Sequence, residues 1–481
     1  MAFIRRVKTA SGATAVQIAH KRYGRIVKIE HLGSAHTNEE LKLLLSLAKR
    51  RAQGNQRSLF DEPESEVSIG LQQSYSSLLL DVLTKQYNRL GFNQLNDQDF
   101  AYLCLARLVE PTSKLDSLRV LADLGVTDTS RDKLYDCLSR IIKRGYRTQI
   151  TALCFTHASK TGISLLLYDV TTLYFETQKE DQFRKPGLSK ERRLEPQIIV
   201  GLLVDQSGFP LSVNSFEGNK AETKTILPVL EAFKTEHDVE KITVVADAAM
   251  LSRTNLESLS TNGYYFIVGS RLTKIPYDIA NFQKQGKLID NQIFVIKKGD
   301  FRIVYQYKEK RARLDSKNID AQVLKAKRMV SGTAPIKRNR FVSLKSEAKI
   351  LNQTLIDKAY SLAGIKGYVA NLNISPEEII NAYHQLFNVE KSFRMAKSDL
   401  KARPIFHHKQ EAIEAHLTIV LAALAIGRTI ERLSGISLKR FVKILKPVRS
   451  GVVVINGKQY RADAIIPPSI IPLLKKIETG H

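Results

Sequence analysis

The chain has 481 residues, 43% of them hydrophobic, with 74 Lys and Arg against 48 Asp and Glu and a formal net charge of +26. The apolar content excludes a globally disordered chain, and the length excludes one ordinary domain, so two to four are expected. The cationic surplus favours a polyanionic partner over a merely solvated basic surface, because Lys and Arg displace counterions from phosphate.

Residues 1–6 lack the apolar core of a signal peptide. The 14–20 and 25–31 segments alternate apolar and polar residues around Tyr23-Gly24, which predicts a hairpin. A helix is expected over 38–51. The polar, acidic, Pro-containing stretch 53–66 reads as a linker. From 71 to 159 the period is helical, with helices expected over 77–90, 97–109, 113–124 and 130–142. Glu110-Pro111-Thr112-Ser113 ends one and caps the next. Short basic helices suit a helix-turn-helix reading a DNA end, and equally a plain bundle. The three cysteines, Cys104, Cys137 and Cys154, lie far apart and give no disulfide framework or zinc site, which fits a reducing cytoplasm.

The middle of the chain predicts strands over 163–176, 198–204 and 210–216, the last two joined by the Asp205-Gln206-Ser207-Gly208 turn. A helix over 222–234, a strand over 241–246, a helix over 252–260 and a strand over 264–269 follow. Three antiparallel strands followed by βα units is the order of a ribonuclease-H-like fold, which other α/β sheets can share. Residues 271–350 hold 20 Lys and Arg and 7 Asp and Glu, a net of +13, so half the surplus sits in a sixth of the chain. Such clustering marks a nucleic-acid-facing surface better than global charge does. This stretch predicts a hairpin over 292–298 and 301–307 and a charged helix over 309–329. Helices over 376–397 and 410–432 follow, then a helix from 437 and a hairpin at Asn456-Gly457. The longest apolar run, 417–426, is about half the ~20 residues of a membrane span and reads as a buried helix.

Three acids stand out. Asp169 interrupts the apolar, β-branched run Leu165–Val170, where a charge is costly unless paired or bound to metal. Asp247 follows Val244-Val245-Ala246, at the carboxyl end of a strand, where α/β folds build sites. Glu390 lies on the expected 376–397 helix, seven residues from Tyr383 and from Lys397. Seven residues are almost two turns, so all three share a face. Clustered carboxylates suit Mg²⁺ or Mn²⁺, and two such ions serve phosphodiester chemistry. Taken singly, each acid reads more often as a cap, a turn residue or a surface partner than as a ligand, Glu390 paired with Arg394 for example. His407, His408 and His416 lack metalloprotease spacing.

The Tyr383, Glu390 and Lys397 spacing resembles the Tyr-x2-Arg-x3-Glu-x6-Lys signature of bacterial insertion-sequence transposases of the DDE-domain type (insertion-sequence family four). Tyr168-Asp169-Val170-Thr171-Thr172, Phe216-Glu217-Gly218-Asn219, Ala246-Asp247-Ala248, Arg403-Pro404-Ile405-Phe406-His407 and Ala415-His416 resemble further blocks of that family, in its order. The resemblance implies a ribonuclease-H-like catalytic core with a β-rich insertion before the catalytic helix. It makes Asp169, Asp247 and Glu390 the catalytic, metal-holding triad and Tyr383 and Lys397 contacts to the DNA end. Leu386 stands where the signature has Arg, and Arg394, one turn past Glu390, is the candidate substitute.

The expected protein is therefore an α/β multidomain enzyme. Residues 1–66 form a small N-terminal hairpin, helix and linker, and 67–160 a helical DNA-binding domain. Residues 161–270 and 367–432 form the ribonuclease-H-like core, 271–366 a basic insertion domain and 433–481 a C-terminal tail region. The expected function is a DNA transposase, acting without a membrane in the bacterial cytoplasm near the nucleoid. It would bind terminal inverted repeats and target DNA as an oligomer, a dimer on DNA, and cut and join strands with two Mg²⁺ or Mn²⁺ ions. A same-fold nuclease and a non-catalytic DNA-binding derivative are the alternatives.

Overall fold

The computed structural model describes residues 2–9, 12–53, 69–176, 179–187, 195–239, 242–248, 252–270, 272, 276–335, 339–343, 350–403, 405 and 407–479. Nearly all of the 53–66 linker, the first residue of the 241–246 strand, and Pro404 and Phe406 of the Arg403–His407 block lie outside them. The chain divides into two compact units, Met1–Cys137 with Thr429–His481, and Leu138–Arg428.

The first unit begins with an antiparallel sheet of Ala2–Lys8, Thr14–Arg22 and Arg25–Ala35. The helix Asn38–Gln53 covers it, closing a small core of Val16, Ile18, Ala35, Leu44 and Ala48. The expected hairpin thus gains a third strand, whose Phe3-Ile4-Arg5-Arg6-Val7 sequence does not alternate cleanly. The helix expected over 113–124 starts instead at Ser117. The Asp116 N–H is taken by the Ser113 hydroxyl at 3.0 Å and the Asp116 carboxylate by Thr112 at 2.6 Å, so side chains bind the turn before the helix. The C-terminal segment completes this unit instead of trailing from it. Its hairpin, Ser450–Ile455 and Lys458–Ala462, pairs with Ile69–Tyr75. Lys446 and Arg449 reach Asp123 at 3.2 and 2.8 Å. Burial pushes the Asp123 carboxyl up, but Arg449 and Lys446 outweigh it and hold it below its ordinary range.

The second unit contains a mixed eight-stranded sheet. Its strands are β1 (Leu166–Tyr174), β2 (Gln197–Asp205), β3 (Pro210–Glu217), β4 (Thr243–Ala246), β5 (Tyr265–Ser270), β6 (Ile293–Lys298), β7 (Phe301–Tyr307) and β8 (Ile365–Ala370). The spatial order is β3-β2-β1-β4-β5-β8-β7-β6. β1, β2 and β3 are antiparallel neighbours, β4 is parallel to β1 and β5 to β4, and β8, β7 and β6 continue antiparallel from β5. The basic segment therefore extends the central sheet by its own strands and is not a separate β layer. Its remaining helices pack Ile319, Ala326, Phe341 and Ile356 into a local core.

The helices of this unit are α1 (Tyr146–Ser159), α2 (Ile226–His237), α3 (Arg253–Thr261), α4 (Tyr277–Gln285), α5 (Glu309–Val330), α6 (Gln353–Ser361), α7 (Pro376–His384), α8 (Phe387–Arg394) and α9 (Gln410–Ser434). Helix α1 was not among the four expected between 71 and 159. Leu417, Val420, Leu421 and Leu424 of α9 line one apolar cleft with Val200 and Leu202 of β2 and Phe393 of α8. Helix α9 runs 25 residues, longer than its apolar run suggests, and an 18-residue window of it is apolar enough to cross a membrane; 89% of that window is buried in protein.

Candidate active site at the strand ends

Asp169 sits in β1, half-buried, opposite Leu202 of β2. On its other side β1 runs parallel to β4, with Leu166 paired to Val244 and Leu167 to Val245. The pairing stops there, two residues before Asp169 on β1 and two before Asp247 beyond β4. Asp247 is exposed just past the carboxyl end of β4. Its Oδ1 accepts from the Ala248 N–H at 2.7 Å and from the Tyr383 hydroxyl at 3.1 Å.

Tyr383 is on α7, which opens with a capping box. Ser375 Oγ accepts from the Glu378 N–H, and the Glu378 carboxylate accepts from the Ser375 N–H at 2.8 Å, with Pro376 in the first turn. The Tyr383 ring is 6% exposed and meets Tyr368 of β8 edge-on at 5.0 Å. Gly269 of β5 makes room for it: a Cβ there would stand 2.8 Å from the Tyr383 hydroxyl. Burial first, then the charge of Asp247, its hydrogen bond, and the charge of Glu390 push the Tyr383 phenol well above its ordinary value.

The helix expected over 376–397 is not continuous. Between α7 and α8 the bonds tighten to the i−3 pattern, Gln385 N–H to Ala382 O and Leu386 N–H to Tyr383 O, both 3.1 Å. Beyond α8 the Leu400 N–H reaches back to Met395 O in a wide π turn over Met395–Asp399. Tyr383 and Glu390 still share one neighbourhood, since the charge of Glu390 reaches the Tyr383 phenol, while the π turn begins between Glu390 and Lys397. The segment is anchored at both ends. Tyr383 is tied to Asp247, while Asn388 donates to Gln206 O at 2.7 Å and Ser392 to Gly208 O at 2.6 Å, both in the β2–β3 turn. The backbone between these fixed points adjusts its pitch.

Glu390 is exposed on α8, and its charge reaches both Tyr383 and Lys366 of β8. Asp247 acts on the same two groups. These acids, 143 residues apart, thus share one neighbourhood. Arg394 ends α8, exposed. Lys397 is half-buried in the π turn with Nζ 5.9 Å from the Phe393 ring centroid. Leu386 is 8% exposed. Among the described residues, no three His, Cys, Asp or Glu side chains stand close enough to hold one ion between them. Carboxylates repel at short range, and Asp247 is turned onto Ala248 and Tyr383. The donor set is nevertheless all oxygen, and two of its members already act on one cation, Lys366. That chemistry fits a hard divalent ion.

Other acids have local roles. Asp205 Oδ1 binds Ser207 N–H at 2.8 Å and Phe209 N–H at 2.9 Å, an Asx turn. Glu217 pairs with Lys185 at 3.3 Å. The next residue, Gly218, could not carry a side chain, since a Cβ would lie 2.0 Å from Gln197 O and 2.3 Å from Lys185 O. Sequence reasoning missed Lys366, Tyr368 and Arg311. Lys366 sits in Gly364-Ile365-Lys366-Gly367, whose pattern carries no catalytic signal.

An α/β sheet with one acid within a strand and another just past the end of the adjacent parallel strand, flanked on the same sheet by a basic extension, has the layout of an enzyme acting on a polyanion. Residues 160–426, more than half of the chain, match the family model described as the transposase DDE domain. The chain belongs to that family, whose members are nucleotidyl-transfer enzymes. No curated protein matches it. Among solved structures it is similar to a piggyBac transposase synaptic complex with hairpin DNA, at 12% identity and a TM-score of 0.41, over 72% of this chain and 70% of that one.

Proposed function

We propose that this protein is the DNA transposase of an insertion sequence, binding terminal inverted repeats and performing metal-dependent strand cleavage and strand transfer. The observation that carries the reading is the family match over 160–426, within which Asp169, Asp247 and Glu390 lie on β1, after β4 and on α8. The strand order β3-β2-β1-β4-β5, antiparallel through β1 and parallel onward, supports a ribonuclease-H-like core.

In this reading Asp169, Asp247 and Glu390 hold two Mg²⁺ or Mn²⁺ ions, which supply Lewis acidity to the attacking and leaving oxygens of a phosphodiester. Tyr383 positions Asp247 by hydrogen bond. Asn388 and Ser392 fix α8, and with it Glu390, against the β2–β3 turn. Arg394 and Lys397 are assigned to the DNA backbone near the cut. The helices of 67–160 are assigned to end recognition, and the basic extension to holding the duplex. DNA is the partner, engaged by an oligomer.

The test is a cleavage assay on duplexes carrying the element's own ends, with Mg²⁺ or EDTA, beside Asp247→Ala. Nicking at the ends is expected with Mg²⁺ and lost with EDTA, and the variant should be slower by about 10³-fold or more. Joined products distinguish a transposase from a nuclease. Binding without cleavage by the unmutated protein would make it a non-catalytic DNA-binding derivative.

A further inference from the structure

Lys366 stands within reach of Asp247 and Glu390, and two further cations, Arg311 and Lys308, lie on neighbouring segments. Lys366 is the second residue of β8. Lys308 follows β7 directly and precedes α5, and its N–H donates to Gly364 O at 2.9 Å, which locks the two strand ends together. Arg311 is in the first turn of α5. They share neighbours: Arg311 acts on Lys366 and on Tyr368, while Lys308 and Lys366 both act on His384.

The floor beneath Lys366 is aromatic. Lys366 Nζ lies 4.3 Å from the Tyr383 ring centroid and 5.6 Å from that of Tyr368. Tyr368 in turn meets His384 edge-on at 6.4 Å. A lysine stem held over a ring has lost much of its rotamer freedom already, so less entropy remains to be lost on binding. Burial first, then the charge of Arg311, lower the Lys366 ammonium's hold on its proton, against the opposing charges of Asp247 and Glu390. A partly desolvated cation attracts an anion more strongly than one in water.

The charge balance gives the direction. Arg311 has its own partner, Asp315, at 3.4 Å. The acids facing Lys366 are Asp247 and Glu390. If both are engaged by divalent ions, as in the function proposed above, Lys366 is left without those counter-charges and with the charge of Arg311 beside it, which favours an anion.

We infer that Lys366, flanked by Lys308, holds a non-bridging oxygen of the DNA phosphodiester that is cut. This rests on the transposase reading and adds to it a substrate-binding group supplied from the sheet, where the sequence pattern had looked to the helix carrying Glu390. Lys366 stands on the same Tyr383 ring whose hydroxyl holds Asp247, so one side chain fixes both the cation and a catalytic acid.

The test is a binding cycle with Ca²⁺ as the divalent ion. End duplexes carry either the natural phosphate or a neutral methylphosphonate, scanned one position at a time through the terminal base pairs. The proteins are unmutated, Lys366→Met, which keeps the stem over Tyr383, and Lys366→Arg. Neutralising one terminal phosphate should weaken the unmutated protein about tenfold. Lys366→Met should bind the natural duplex about tenfold more weakly and no longer distinguish the two duplexes at that position, while Lys366→Arg keeps most of the discrimination. If Lys366→Met still discriminates like the unmutated protein at every position, the inference is wrong and Lys366 is a structural counter-ion. That outcome leaves end cleavage intact. Failure of the transposase reading shows instead as no metal-dependent cleavage by the unmutated protein, whatever the binding cycle gives.

Discussion

Every residue of β2 is buried, while β6, at the far edge of the same sheet, has no buried residue. The sequences differ accordingly: Gln197-Ile198-Ile199-Val200-Gly201-Leu202-Leu203-Val204-Asp205 in one, Ile293-Phe294-Val295-Ile296-Lys297-Lys298 in the other. β2 is flanked by strands on both sides and packed by α8 and α9. Among the described residues no strand pairs with the outer edge of β6, and its lysines discourage pairing with another chain. One sheet thus serves two purposes. Strand β1 carries Asp169 and β4 leads to Asp247. The extension through β8, β7 and β6 has buried residues in β7 and β8, none in β6, and brings Lys366.

The largest effect that would sharpen this contrast is on stability. Leu203→Ala, at a fully buried position, should cost about 2–5 kcal/mol in urea unfolding. Val295→Ala, at a position 45% exposed, should cost under about 0.5 kcal/mol. Similar losses at both would break the comparison. A smaller effect, and of another kind, is expected from Lys297, Lys298 and Lys310 changed together to Gln. Stability should hold within about 0.5 kcal/mol, while duplex affinity falls and the slope of log affinity against log salt becomes shallower by about 2–3. An unchanged slope would make these lysines a solvated face.

The smallest effect concerns pH. His237 ends α2, stacked on Phe155 at 4.4 Å and against Phe233 at 4.6 Å, and burial lowers its proton affinity below the ordinary 6.5. The fold holds the neutral ring, so this stabilisation is present above pH 6.5 and is lost as pH falls through the lowered folded value. His237→Phe should flatten part of the fall in melting temperature between about pH 7 and 5. An identical pH slope in the variant would exclude His237 as its source.

The sequence by itself determined the local pieces. Apolar alternation and turn chemistry placed β2, β3, β7 and the Asn456-Gly457 hairpin within a residue or two, because side-chain period and backbone sign are properties of neighbouring residues. The strand-end position of Asp247 was legible for the same reason. Tertiary structure decided what depends on distant partners. Ile69–Tyr75 becomes a strand because Ser450–Ile455 pairs with it. β8 joins β5 about a hundred residues later in the chain, and through it the two strands of the expected insertion join the sheet. The 376–397 helix tightens at Gln385–Leu386 because Asp247 and the β2–β3 turn hold its two ends. Lys366 comes beside Asp247 and Glu390 through that same strand addition. Nothing within its own segment encodes the contact, since the electrostatic partners lie on other elements and meet only when the sheet is complete.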